Sequence, residues 1–82
     1  MAALLLKVKI IDPKQILFEG EVSHLLVPSA KGMLGIFPNH TPLYAEITTG
    51  TIELAGSTPQ TFDVVAGIIK VRKDSVTLLI GI

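Results

Sequence analysis

Residues 32–42, with the sequence GMLGIFPNHTP, constrain the fold more than any other part of the chain. They bring two glycines, two prolines and one histidine into eleven residues. Glycine permits positive φ or the close approach of another backbone, whereas proline holds φ at about −65° and donates no amide hydrogen bond. Pro38-Asn39 suits the central positions of a turn, and residues 34–37 are apolar. The stretch therefore predicts a shaped corner with an apolar lining, not a flexible linker.

The rest of the chain is typical of short strands separated by turn residues. Leu6, Val8 and Ile10 alternate with lysines, and this period of two indicates a strand with one buried and one exposed face. Strands are predicted at 6–10, 16–18, 22–27, 43–47, 51–54, 61–66, 69–72 and 76–80. No window of twelve residues shows helical periodicity free of Pro or Gly. Seven or eight short strands favour an all-β fold, either a β-sandwich or a small barrel.

Several residues are predicted to bend or interrupt these strands. An isolated Gly inside a strand pattern indicates a bulge or a tight bend, which we expect at Gly20 and again at Gly67. Pro28 is expected to stop the strand at 22–27. Residues 12–15 are expected to break the first strand, and residues 73–75 are expected to form a hairpin turn.

The composition predicts one small domain, residues 1–82, with apolar surface left over. Hydrophobic residues make up 49% of the chain, charged residues only 17%, and the mean hydropathy is +0.61. A chain of this size buries only roughly 60–65% of its extended surface. Some apolar side chains should therefore stay exposed as a docking patch, although a tight strand-rich core is the alternative. No run approaches the ~18 apolar residues of a membrane span, so direct membrane insertion is not expected.

Charge and cysteine content exclude several classes of function. Seven basic residues balance seven acidic ones, and there are four aromatic residues without any Trp. The chain therefore lacks the net positive charge that would attract nucleic acid, and it has too few aromatic side chains for a platform on which bases would stack. The absence of Cys removes disulfides and thiolate sites and suits a reducing compartment. The first six residues lack the features of a signal peptide, so we expect the chain to stay on the cytoplasmic side.

The two histidines are the first candidates for chemistry. Asp12, Ser23 and Asp63 could complete a Ser-His-Asp set with His24 or His40, but no nucleophile elbow is present. Ser23 and His24 are also neighbours on a predicted strand, so their side chains point to opposite faces. His24 is interpreted as a half-buried structural residue. His40 is expected to hydrogen-bond backbone groups left unpaired by nearby prolines, with an interface role as the alternative.

No ligand-binding motif is recognised in the sequence. Two histidines with scattered carboxylates do not have the spacing of metal ligands. The glycines at 32 and 35 lack the Lys-Ser/Thr ending and the helix of a phosphate-binding loop. We therefore expect no catalytic residue, no metal and no cofactor.

The pattern Gly-x-x-Gly-x-x-Pro-x-His-x-Pro at 32–42 resembles the epsilon subunit of F-type ATP synthases, in its amino-terminal β-sandwich domain. Residues 17–22 are similar to the family's "lfxGxv" segment, 49–52 to its "pGxi" turn and 66–71 to its "gGxxxv" strand. These blocks occur in family order and span about residues 4 to 79. The resemblance implies a small antiparallel β-sandwich of short strands.

The resemblance also implies a function. Such a subunit is a non-catalytic part of the central stalk of a proton-transporting ATP synthase. It couples rotation of the membrane c-ring to the gamma subunit, and through gamma to the catalytic head. The loop at 31–34 would meet the c-ring and His40 would face gamma. The implied interface residues are Lys31, Gly32, Met33, Leu34, Gly35, Pro38, His40 and Pro42.

Two departures from the family pattern affect this interpretation. Met33 stands where the family often has an acidic residue, which changes the expected chemistry of the ring contact. Family members also commonly continue into a two-helix hairpin that can inhibit hydrolysis and, in some, bind ATP. The chain stops at Ile82, so these properties are not carried over, and we expect a naturally short form without the helical domain.

The expected location is peripheral, on the cytoplasmic face of the bacterial inner membrane. The alternative function is a stand-alone β-sandwich that binds a carbohydrate or a peptide. The small number of aromatic residues weakens that alternative, because such sites usually stack a ligand on aromatic rings.

Overall fold

The computed structural model describes residues 5–57 and 59–81, and all of the helix or strand structure in these ranges is β-strand. The all-β prediction is therefore confirmed, with nine strands in the described ranges where seven or eight were expected. The strands are β1 Leu6–Ile11, β2 Ile16–Val22, β3 His24–Ser29, β4 Gly32–Ile36, β5 His40–Ile47, β6 Gly50–Ala55, β7 Gln60–Val64, β8 Ala66–Lys73 and β9 Ser75–Gly81.

The strands form one curled sheet in the order β2-β1-β9-β8-β5-β3-β6-β7, and β4 pairs with β3 outside this path. β1 and β9 run parallel, with Val8 opposite Val76 and Ile10 opposite Leu78. The other strand pairs are antiparallel. The expected antiparallel arrangement therefore holds except at the β1–β9 pair, where the two strands run in the same direction.

The core consists of the alternate side chains that point to the inside of the curled sheet. Leu6, Val8 and Ile10 are buried as their alternation predicts, and their counterparts on β8 and β9 alternate in the same way. No polar or charged residue in the described ranges is buried. Full burial of one apolar side chain such as Leu, Ile or Val contributes about 1.5–3 kcal/mol to stability. The buried apolar residues are Leu6, Val8, Ile10, Val22, Leu25, Val27, Ile36, Ile47, Ile52, Leu54, Val64, Ile69, Val71, Val76, Leu78 and Ile80.

The strand expected at 22–27 is divided at Ser23. The Ser23 N–H and the Ser23 Oγ both donate to the Ala55 carbonyl, at 2.8 and 2.9 Å. This bend lets Val22 pair with Leu6 of β1, whereas Leu25 pairs with Leu54 of β6. The prediction of one continuous strand was therefore wrong, because its two halves pair with different strands of the sheet.

Pro28 does not stop β3, contrary to the prediction. It lies opposite Met33 in the β3–β4 pair, and its carbonyl accepts the Thr48 N–H at 3.1 Å. Proline lacks only the N–H donor, so it can stay in a strand where that donor is not needed. β3 consequently continues to Ser29.

Neither glycine that was expected to bend a strand does so. β2 passes through Gly20, and its irregularity lies at Leu17, between the pairs Ile10–Phe18 and Ile11–Ile16. A Cβ at Gly20 would lie 3.3 Å from Phe18 Cζ, so the missing side chain leaves room for the Phe18 ring.

Gly67 lies inside β8, opposite Ile80, and the bend is at Val65. A Cβ at Gly67 would overlap the Leu79 carbonyl oxygen and lie 3.0 Å from Ile80 Cα. The position therefore requires glycine because the backbone of β9 packs against it.

Two predicted turns are confirmed. The Asp12 carboxylate accepts the N–H groups of Lys14 and Gln15, each at 2.7 Å, and this turn separates β1 from β2. Residues 73–75 form the β8–β9 hairpin, in which Lys73 adopts a φ of 52°.

Candidate docking surfaces

Residues 32–42 contain a strand followed by a turn, so the expected corner is only partly irregular. Gly32–Ile36 is the regular strand β4, a strand that was not among those predicted from the sequence. Pro38 and Asn39 form the expected turn, in which Asn39 adopts a φ of 63°. The Asn39 N–H donates to Asp74 Oδ1 at 2.8 Å, which ties this turn to the β8–β9 hairpin.

The tip of the β3–β4 hairpin is held by its own hydrogen bonds. Ser29 Oγ donates to the Gly32 carbonyl at 2.6 Å and accepts the Lys31 N–H at 3.2 Å. Gly32 adopts a φ of 109°, a conformation that L side chains rarely take. The tip therefore presents the exposed Lys31 on a fixed backbone.

The outer face of this hairpin carries Leu26, Met33 and His24, and Phe37, the residue after β4, packs on the His24 ring. We call these four residues the hairpin surface. Met33 and Phe37 are 53% and 54% exposed. The Phe37 and His24 rings stack, with centroids 5.0 Å apart and planes at 20°. A Cβ at Gly35 would lie 3.1 Å from Phe37 Cε2 and 3.6 Å from Leu26 Cδ2. Gly35 thus leaves the space in which Phe37 reaches His24.

The structure divides the eight implied interface residues into two groups. Lys31, Gly32, Met33, Leu34 and Gly35 belong to the hairpin, where Leu34 is half-buried against the core. Pro38 lies in the turn between β4 and β5, and His40 and Pro42 lie at the start of β5, beside the β8–β9 turn. Six residue-to-residue steps separate Gly32 from Pro38, which corresponds to roughly 20 Å of extended chain.

The start of β5 contains a bulge. His40 is opposite Lys73 and Leu43 is opposite Val71, so Thr41 and Pro42 together face Arg72. Prolines in sheets occur at such bulges. The His40 side chain lies outside the part of the chain that the structure describes, so its expected hydrogen bonds stay a prediction.

A second exposed apolar surface was not assigned from the sequence. We call it the β8–β9 face, and it consists of Ile68 on β8, Leu79 on β9 and Tyr44 on the neighbouring strand β5. Ile68 and Leu79 are direct partners across the two strands and are each 49% exposed. Tyr44 is 71% exposed, and Lys70 Nζ lies 5.6 Å from its ring centroid. The half-buried Ile11 continues the row beyond Leu79.

A sequence signal for this face existed. Ile69 and Leu78 are the buried residues of β8 and β9, so their neighbours Ile68 and Leu79 occupy the alternate, outward positions. An apolar residue at a position where alternation predicts a polar one is the signal. The expected excess of exposed apolar side chains is confirmed, whereas the docking role stays a prediction.

The residues weighed for catalysis have structural hydrogen bonds. Ser23 bonds to Ala55, Asp12 holds its own turn, and Asp63 Oδ1 accepts a hydrogen bond from Thr51 Oγ1 at 3.2 Å. His24 is half-buried, as expected, at the start of β3 instead of mid-strand. Within residues 5–57 and 59–81, no group of three or more His, Asp or Glu side chains is arranged to hold a metal ion. No helix in these ranges is long and apolar enough to cross a membrane.

Comparison with known families identifies the domain. Residues 5–81 match the family described as ATP synthase, Delta/Epsilon chain, beta-sandwich domain. The chain belongs to this family. The sandwich architecture expected from the sequence is therefore confirmed, and the curled nine-stranded sheet is its form in this member.

Relatives with curated names support the same family. The ATP synthase epsilon chain of Leptospira interrogans is 39% identical over 80 residues, covering 96% of this chain and 63% of the relative. The ATP synthase epsilon chain of Halalkalibacterium halodurans is 40% identical over 75 residues, covering 90% of this chain and 56% of the relative. The chain thus spans about three-fifths of the length of the curated relatives it matches.

Solved structures share the fold at low sequence identity. A chain of the Euglena gracilis mitochondrial ATP synthase, in a structure of OSCP, F1 and c-ring, superposes with a TM-score of 0.87 at 12% identity. The match covers 98% of this chain and 52% of that one. A chain of the Tetrahymena thermophila mitochondrial ATP synthase central stalk and c-ring gives a TM-score of 0.78 at 11% identity, covering 92% and 62%.

Proposed function

We propose that the chain is the β-sandwich domain, residues 1–82, of an epsilon-type subunit in the central stalk of a proton-transporting F-type ATP synthase. In this role it is non-catalytic and couples rotation of the c-ring to the gamma subunit and the catalytic head. The observation that carries the proposal is that a domain matched from residue 5 to 81 by this family exposes apolar side chains on two separate sets of strands. A coupling subunit needs one surface for each of two partners.

The β3–β4 hairpin is the proposed contact with the c-ring. Its tip is rigid because Ser29 bonds on both sides of the turn, so force applied there is transmitted to β3 and the core. Lys31 supplies a positive charge, and Met33 an apolar contact. The contact would therefore combine one charge with an apolar side chain where relatives often use a carboxylate.

The β8–β9 face, together with Pro38, His40 and Pro42, is the proposed contact with gamma. Complete burial of a side chain such as Ile or Leu is worth about 1.5–3 kcal/mol. Ile68 and Leu79 are half exposed, so burying the rest contributes roughly half of that for each. Two such side chains beside an exposed aromatic form the kind of apolar centre that protein interfaces use.

The proposed location follows from these partners. The domain would sit on the cytoplasmic face of the bacterial inner membrane and would contact the membrane sector only through the c-ring. We propose no cofactor, because neither partner contact requires one.

A calorimetric titration of the chain with a purified gamma subunit tests the proposal. We expect saturable one-to-one binding for the natural chain. The double variant Ile68→Ser/Leu79→Ser removes the apolar centre of the face and should weaken binding at least tenfold. Val65→Ser is the matched control, since Val65 is 61% exposed and lies outside that face.

Melting curves of all three proteins accompany the titration, so that loss of binding is separated from unfolding. Equal affinity for the double variant and the control would refute the assignment of the β8–β9 face. A folded natural chain that fails to bind gamma would refute the coupling role.

A further inference from the structure

The edge strands of the sheet differ in how they are protected. Among the described residues, β2, β4 and β7 each pair with a single strand, namely β1, β3 and β6. An edge strand exposes unpaired backbone groups to pairing with another chain, and charged side chains or bulges normally prevent this. β2 carries Glu19, Glu21 and a bulge at Leu17, and β7 carries Asp63.

β4 has none of these protections. Its sequence, GMLGI, contains no charge and no proline, and its register with β3 is regular over all five residues. It is therefore the edge at which another strand can be added most readily, the mode of recognition known as β-augmentation.

We propose that β4 pairs antiparallel with β4 of a second copy of this chain, centred on Leu34. Direct partners in an antiparallel pair project side chains from the same face, so a two-fold axis lets Leu34 face its own counterpart. This register uses the whole strand. It places Gly32 opposite Ile36 of the second copy and Met33 opposite Gly35 of the second copy.

The side chains on the outer face are complementary in this register. The exposed Met33 side chain lies opposite Gly35 of the second copy, where that copy's own Phe37 ring fills the space above the glycine. It then adjoins Phe37 of the second copy, and methionine sulfur packs favourably on aromatic rings. The same register sets Lys31 opposite Phe37 of the second copy, an arrangement suited to a cation–π contact. In this register the exposed Met33 and Lys31 side chains therefore both approach the Phe37 ring of the second copy.

The dimer should be weak and should belong to the free chain. A five-residue strand pair buries less than the ~1,200 Å² at the lower limit of standard interfaces. The dimer also uses the hairpin proposed above as the c-ring contact, so it and assembly into the rotor exclude each other. The inference needs no partner subunit and stands or fails separately from the coupling role.

Sedimentation velocity of the chain from ~10 μM to ~1 mM tests the inference, because a weak dimer changes its degree of association over that range. We expect a monomer–dimer equilibrium for the natural chain. Met33→Lys, which adds a charge to the edge strand β4, should shift the monomer–dimer midpoint at least tenfold towards monomer. Val65→Lys adds the same charge at a similarly exposed position away from β4 and should leave the midpoint unchanged.

A spin label tests the register. The chain has no native cysteine, so Met33→Cys provides a single labelling site. In the proposed pair the two Met33 positions are diagonal neighbours, whose separation is roughly 7–8 Å, and strong dipolar broadening is expected. A label at Val65→Cys serves as the comparison and should show weak broadening.

Three results would overturn the inference. The first is a folded chain that stays monomeric over the whole concentration series. The second is a monomer–dimer midpoint that is equal for Met33→Lys and Val65→Lys, whether both variants match the natural chain or both are shifted. The third is a dimer without broadening from the label at position 33.

Discussion

Replacing Gly67 by alanine should destabilise the domain more than any other single-methyl addition at a glycine of the sheet. The added Cβ would overlap the Leu79 carbonyl oxygen and approach Ile80 Cα to 3.0 Å. Both atoms belong to the backbone of β9, so no side-chain rotation relieves the overlap. β9 would have to move away from β8, which weakens the pairing of Gly67 with Ile80.

The magnitude follows from the cost of overpacking. Extra methyl groups in well-packed regions cost about 1–3 kcal/mol. A domain of this size has a free energy of unfolding of only roughly 4–12 kcal/mol. Each kcal/mol lowers the melting temperature by about 4–8 °C in so small a domain. With an overpacking cost of about 2 kcal/mol, the middle of its range, we expect Gly67→Ala to melt roughly 8–16 °C below the natural chain.

Gly81→Ala is the matched control for this experiment. Gly81 lies one residue beyond Ile80 in β9 and pairs with Ala66, the neighbour of Gly67. A Cβ at Gly81 would lie 3.6 Å from the Ala66 carbonyl oxygen, an ordinary van der Waals contact. The control should melt within about 4 °C of the natural chain. Thermal unfolding followed by circular dichroism would refute the reasoning if both variants melted at the same temperature.

Three further predictions concern the hairpins. Gly35→Asp should displace Phe37 from His24, lose roughly 1 kcal/mol of aromatic contact and abolish docking on the c-ring; natural affinity for the c-ring with an unchanged melting curve would contradict this. Met33→Glu should change the free energy of unfolding by less than about 0.5 kcal/mol because Met33 is exposed, and a fall of several degrees in melting temperature would count against it. Lys73→Gly should raise the urea midpoint slightly, because Lys73 adopts a left-handed φ of 52° that glycine takes without strain. The left-handed conformation costs an L residue about 1–2 kcal/mol, whereas glycine loses about 0.4–1 kcal/mol through the greater freedom of the unfolded chain. A lower urea midpoint would show that Lys73 is unstrained.

The sequence is a good guide to the core because strand alternation is local. Val8 and Ile10 on β1 and Ile69 and Val71 on β8 are buried at alternate positions, as a period of two requires. The turns at 12–15 and 73–75 could also be predicted, since their hydrogen bonds and φ angles involve residues close in sequence. Features decided within about four residues were therefore accessible.

The meaning of single glycines and prolines was less accessible, because it depends on distant neighbours. Gly20 makes room for the Phe18 ring, and Gly67 for the backbone of β9, so neither bends its strand. Pro28 stays within β3, where a Cβ at Gly50 would lie only 3.0 Å from its ring. The rule that such residues interrupt strands failed here, since tight packing and bending can both demand the same residue type.

The candidate surfaces divide in the same way. The family resemblance pointed to the hairpin at 31–35, and the exposure of Lys31 and Met33 is compatible with that role. The β8–β9 face required knowledge of which residues are opposite one another. Ile68 meets Leu79 across the hairpin, and Leu79 meets Ile11 across a parallel pair. Register between distant strands is set by the whole sheet, so alternation alone could not assemble this surface.

The parallel pairing of β1 with β9 also bears on how the domain is made. During synthesis β1 emerges first, but its partner at 75–81 emerges nearly seventy residues later. At about 5–20 residues per second this is a delay of several seconds, in which the apolar side of β1 has only β2 beside it. Contacts so distant in sequence also slow folding. A ribosome-bound chain that ends before β9 should consequently be a client for chaperones, and the domain should acquire its stability in one late step.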